Sequence, residues 1–106
     1  LRLCHDRSGI RHNYAYMPVI FTDEYGATRD QVSDRLAEQG VFSRKYFYPA
    51  TNELSCYAGR FDLGETPVAH WAAEHVLTLP MYADLAIEDV DRICDVVLSL
   101  GPKGCE

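Results

Sequence analysis

The period of apolar positions changes several times along the chain, and each change predicts an element. Residues 13–22, "NYAYMPVIFT", are dense in aromatic and β-branched side chains and read as a strand. Pro18 inside it lacks a backbone donor, which points to an edge or a bulge. Tyr25-Gly26 marks a turn, and Thr28 with Gln31 three residues on is a capping-box pattern. Val32, Leu36 and Ala37 then recur at helical spacing until Gly40 stops them. Residues 41–48 read as a second strand, closed by Pro49. Residues 50–65 keep no period and read as a long loop, the kind that is often functional or mobile.

Thr66-Pro67 gives an N-cap followed by proline at the first helical position, and Val68, Trp71, Ala72 and Val76 supply the buried face of that second helix. Residues 77–82, "LTLPMY", form a short extended piece. A third helix is predicted over 87–100, with Val90, Ile93, Cys94 and Val97 on one face and Gly101-Pro102 at its end. The order is β-α-β-loop-α-β-α. It predicts a small α/β sandwich of about three strands and three helices, one domain over residues 1–106, with 1–9 as a polar lead-in. Seven Tyr and four Phe give enough large apolar area for a core, though a modest one at 106 residues.

Charge narrows the classes. Ten Lys and Arg face sixteen Asp and Glu, a net charge of -6, whereas a general nucleic-acid or membrane-surface binder carries a basic excess. No nucleic-acid or membrane partner is therefore expected. Hydrophobic residues at 47% argue against disorder. No apolar run approaches the ~20 residues that cross a bilayer, and no signal-peptide pattern is present, so a cytoplasmic location is expected. Cys4, Cys56, Cys94 and Cys105 show neither C-x-x-C nor zinc-finger spacing, and reduced thiols fit that compartment. Cys94 is expected to be packed rather than reactive. The chain opens on Leu1 rather than Met, directly into a polar segment, and reads as a piece of a longer protein.

Most candidate chemistry is absent from the pattern. His70 and His75 lie five apart, off the spacing of one helix face, with His70 expected exposed and His75 at a helix boundary. No serine sits in a nucleophile elbow, and no glycine run cradles phosphate. Asp23-Glu24 reads as solvated, and Glu88-Asp89 as acids favouring a helix N-terminus. Two stretches remain. Arg11, His12, Asn13 and Tyr14 crowd the start of the first strand. In "RKYFYP", strand alternation puts Arg44, Tyr46 and Tyr48 on one face and Lys45 and Phe47 on the other. Such a face is either a tyrosine-rich sheet surface covered by a helix, with Arg44 paired to an acid, or a wall offering bidentate anion and hydroxyl contacts.

Four blocks carry a family resemblance: "RHNYAYMPVIF", "GVFSRKYFYP", "TPVAHWAAEHVLTLPMYADL" and "EDVDRICDVV". In this order they resemble the carboxy-terminal domain of the DegT/DnrJ/EryC1/StrS sugar aminotransferases, over about residues 10–100. The resemblance implies a pyridoxal 5'-phosphate (PLP) enzyme of aminotransferase fold type I. Such enzymes pass an amino group, commonly from glutamate, to a nucleotide-linked keto-deoxysugar for polysaccharide biosynthesis, and act as homodimers. It assigns Asn13, Tyr14, Arg44, Tyr46 and Tyr48 to the substrate side. It places the Schiff-base lysine, the acid facing the pyridine nitrogen and most phosphate contacts in a large amino-terminal domain. Of the two lysines, Lys45 and Lys103, Lys45 falls in the small-domain block, so this chain is expected to hold no catalytic, cofactor-binding or metal-binding residue and to be inactive alone. The loop "PATNELSCY" lacks a histidine common in the family, and Ala86 stands where a serine N-cap is common. Two rival readings are a stand-alone, non-catalytic binding or interaction module and an unrelated α/β enzyme domain with a tyrosine-lined pocket.

Overall fold

A computed structural model describes residues 1–102. Lys103 and Cys105 lie outside the described residues. The architecture is α/β, with three strands and three helices: β1 (Arg2–Leu3), β2 (Met17–Ile20), α1 (Arg29–Glu38), α2 (Pro67–His75), β3 (Val76–Leu79) and α3 (Ile87–Leu100). The class and the element count match the sequence expectation, but one strand is exchanged. Residues 41–48 form no strand and meet the sheet only through an isolated bridge, Arg44 to Thr78. The third strand is Arg2–Leu3, inside the segment read as a polar lead-in.

The sheet is antiparallel in the order β1-β2-β3, so β2, with Pro18, is the middle strand rather than an edge. Its proline is tolerated for a definite reason. Thr78, opposite Pro18, spends its own N–H and C=O on Arg44, at 2.6 and 3.0 Å, on the other side of β3. Pro18 and Thr78 are therefore a non-hydrogen-bonded pair, and β3 asks no donor of Pro18. On the β1 side, Arg2 pairs with Ile20 and Leu3 with Val19. The next rung would need the N–H of Pro18, and there β1 ends.

Helix α1 starts as its capping box predicts. The Thr28 side chain accepts from Gln31 N at 3.2 Å, and Gln31 Oε1 accepts from Thr28 N at 2.9 Å. It ends in a Schellman motif: Gly40 is left-handed at φ 75°, its N–H reaches Ala37 O, and Val41 N–H reaches Leu36 O, both at 2.9 Å. Arg92 of α3 adds a cation at that end, donating to Gln39 O at 2.8 Å. Helix α3 begins at Ala86 without a side-chain cap.

The core lies between one face of the sheet and the α1–α3 layer. Val19, Phe21 and Leu77 meet Tyr25, Val32, Leu36, Ile93 and Val97. Tyr25 donates its buried hydroxyl to Val97 O, and burial raises its pKa. Four expected core contributors face outward instead. Val68 is 77% and Trp71 42% exposed, because α2 turns Ala73 inward. Ala37 is exposed beside buried Leu36. Cys94 is exposed, lying about 100° round the helix from Ile93. The centre of the buried stripe runs through Val90, Ile93, Val97 and Leu100.

Candidate functional site

"RKYFYP" is a turn-rich segment held to the sheet by one bridge, and its side chains do not alternate as on a strand. Tyr46 and Phe47, adjacent in sequence, stack ring on ring with centroids 5.0 Å apart and planes 16° from parallel. Tyr16, just before β2, meets both edge-on at 5.9 and 6.1 Å. The result is an exposed aromatic cluster built from the two segments that the sequence singled out. Tyr16 itself was missed, although its position in "NYAYMP" two residues from Tyr14 was a usable signal.

Arg44 and Tyr46 share a cavity of about 210 Å³, whose walls include Tyr16, Phe42, Thr78 and Met81. A broader groove of about 700 Å³ opens beside it and holds Asn13, Tyr14 and His12. Ala15, Tyr16 and Met81 belong to both walls, so the two hollows are neighbours. Tyr14 sits at φ 50°, a left-handed conformation that is uncommon for a bulky residue. The Asn13 side chain accepts from Ala15 N at 3.2 Å and spans this kink, while the Tyr14 ring stays 64% exposed. Four of the five expected residues thus converge on adjoining hollows.

Tyr48 lines neither of these two hollows. Its ring lies under the guanidinium of Arg29, with Cζ 4.6 Å from the ring centroid. Arg29 is 4% exposed and donates through Nη1 to Ala73 O at 2.8 Å and Val76 O at 3.1 Å, at the end of α2. Its Nε is 2.8 Å from Asp30 Oδ1, an ion-pair contact off the line of a hydrogen bond. Asp30 also receives Lys45 Nζ at 2.5 Å. The hydrogen bond from Lys45 is the main reason its carboxyl is held below the usual carboxylate range, with the Arg29 and Lys45 charges adding and burial opposing. Sequence reasoning missed Arg29, since a charged residue in a first helical turn looks solvent-facing.

The other titratable groups offer less. His70 is only 17% exposed, against the expectation, because its Nδ1 meets Glu53 Oε1 of the 50–65 segment at 3.2 Å. His75 does fall at the end of α2, bonded to Trp71 O at 2.6 Å, and Asp23 is fully solvated. The 50–65 segment carries three short 3-10 turns (Thr51–Glu53, Ser55–Tyr57 and Leu63–Glu65). Among the described residues, no cluster of three or more His, Cys, Asp or Glu side chains is arranged to hold a metal. No described helix is long and apolar enough to cross a membrane.

The site also bears on the implied cofactor. PLP needs a lysine free to form an imine, an acid at the ring nitrogen and a phosphate cradle. Lys45 is committed to Asp30 and lines neither the Arg44 cavity nor the Asn13 groove. Among the described residues the imine-forming lysine is therefore not supplied: Lys45, the one lysine among them, is held by Asp30.

Comparison with known proteins agrees with these blocks. The chain is 36% identical over 88 residues to a dTDP-4-amino-4,6-dideoxy-D-glucose transaminase of Escherichia coli, spanning 81% of this chain and 24% of that protein. A transaminase of the same name from Shigella dysenteriae is 28% identical over 85 residues, spanning 80% and 23%. The chain therefore spans about a quarter of the length of the curated relatives it matches. Its fold resembles a crystal structure from Bacillus cereus described as a PLP-dependent aminotransferase, with TM-score 0.62 and 24% identity over 77% of this chain and 22% of that one. A model of the DegT/DnrJ/EryC1/StrS aminotransferase family matches residues 2–98, and the chain belongs to that family.

Proposed function

We propose that this chain is the carboxy-terminal domain of a cytoplasmic, homodimeric PLP-dependent aminotransferase. The whole protein moves an amino group from glutamate to a nucleotide-linked keto-deoxysugar. This domain contributes the substrate wall, and the lysine, acid and phosphate cradle for PLP belong to the remainder of the protein. The observation that carries the reading is the convergence of Arg44, Tyr46, Asn13 and Tyr14 on two adjoining hollows. Arg44 matches the planar, bidentate recognition of a carboxylate or a sugar-nucleotide phosphate, and the tyrosines offer hydroxyl contacts and ring faces. The dTDP-sugar named in both curated relatives supports a nucleotide sugar as the acceptor product. PLP, when bound, supplies the electron sink for amino transfer. The residues of this chain bind and orient the sugar and keep bulk water from one side of it.

The test uses the natural gene product with its upstream sequence. It is expected to purify with the visible absorption of bound pyridoxal phosphate, and glutamate is expected to bleach that band. No upstream reading frame, or no band, would overturn the enzyme reading and favour a non-catalytic binding module.

A further inference from the structure

The segment that carries Arg44 and Tyr46 has little backbone support. One bridge to Thr78 fixes its start, and edge-on contacts with Tyr16 meet it at the cavity. Two further contacts arrive from outside the cavity, both from the first turn of α1. Asp30 holds Lys45 at 2.5 Å, and Arg29 lies over the Tyr48 ring at 4.6 Å. Positions 45 and 48 bracket Tyr46. Arg29 is itself fixed, buried and bonded to two carbonyls at the end of α2, so the tether runs to the rigid part of the fold.

We infer that Arg29 and Asp30 form a positioning clamp for the substrate wall. They touch no substrate. They set where Arg44 and Tyr46 stand by holding the chain on either side of Tyr46. A half-exposed ion pair such as Asp30–Lys45 adds little to global stability. It does narrow the positions open to a loosely supported segment, and reaction rates and affinities respond to displacements of about 1 Å. The clamp rests on the proposed reading of Arg44 and Tyr46 as substrate-facing.

The test compares Lys45→Met, Asp30→Ala and the double variant in the full-length gene product, with Arg44→Ala as reference. Amide hydrogen exchange over residues 44–48 and steady-state kinetics with the keto-sugar nucleotide are the readouts. Both single variants are expected to speed exchange there and to raise KM on the order of tenfold, with melting temperature lowered by no more than about a few degrees. The double variant should be no worse than either single, and Lys45→Arg should restore both readouts. Arg44→Ala should raise KM without speeding exchange. Wild-type exchange and KM in Asp30→Ala would overturn the clamp while leaving the Arg44 reading intact. Faster exchange in Asp30→Ala with unchanged KM in Arg44→Ala would overturn the substrate reading and the positioning role with it, leaving only a structural tether.

Discussion

Replacing Arg29 with methionine tests how the domain joins its helices. Arg29 is 4% exposed, and its Nη1 donates to Ala73 O and Val76 O, two carbonyls at the end of α2 that lack helical partners. A hydrogen bond from a charged donor contributes about 1.5–3 kcal/mol, so two of them set an upper bound of about 3–6 kcal/mol. Methionine recovers part of this, because burying a guanidinium carries its own desolvation cost and the thioether stem still packs. The net loss is about 2–4 kcal/mol, a large share of the ~5–15 kcal/mol that holds a domain of this kind. At this size it corresponds to roughly 10–30 °C in melting temperature. Urea and thermal unfolding followed by circular dichroism measure it. Arg29→Lys should recover part of the loss, since an ammonium can still donate to the carbonyls that Nη1 meets but lacks the planar guanidinium that stacks on Tyr48. A loss below about 0.5 kcal/mol in Arg29→Met would refute the view that this side chain staples α1 to α2.

Two smaller effects are expected. Ala86 has φ -64° and ψ 142°, the extended geometry of an N-cap, but no side chain to cap with, so Ala86→Ser should stabilise α3 by about 1 kcal/mol in urea unfolding. Asp30 titrates lower when folded than unfolded, so its contribution to stability is present above the ordinary carboxylate range and is lost as pH falls through its folded value. Acid unfolding followed by fluorescence should therefore show a shallower dependence on pH in Asp30→Asn below about pH 4, and an unchanged acid limb would contradict the Lys45–Asp30 contact.

Local rules made the helices legible. The Thr28–Gln31 capping box, the Gly40 stop and the Gly101-Pro102 end each act within a few residues, and α1 and α3 fall where these signals put them. The strands were less legible because pairing is a property of partners far apart in sequence. Residues 41–48 have strand composition, but β3 bonds there only through Thr78, and Tyr46 and Phe47 collect on Tyr16 instead of alternating. Arg2–Leu3 carries almost no strand signal and pairs because β2 offers two rungs before Pro18 ends the ladder. The outward turn of Val68 and Trp71 also escaped the pattern, since helical periodicity finds an apolar stripe without saying what will cover it. For the proposed site, residue types left a covered tyrosine face and a ligand wall both open, and the family resemblance assigned Asn13, Tyr14, Arg44, Tyr46 and Tyr48, while Arg29 and the place of Tyr48 depended on tertiary contacts between α1, α2 and the segment.

The most direct test of the substrate wall is calorimetric binding of the dTDP-linked keto-sugar to the full-length protein and its Arg44→Ala variant. Loss of a charge-assisted contact predicts an affinity weaker by about tenfold to a hundredfold, with the fold intact by circular dichroism. Equal affinities would contradict the account, because the exposed Arg44 would then hold no substrate group and the aromatic cluster around Tyr46 would be only a surface of the fold.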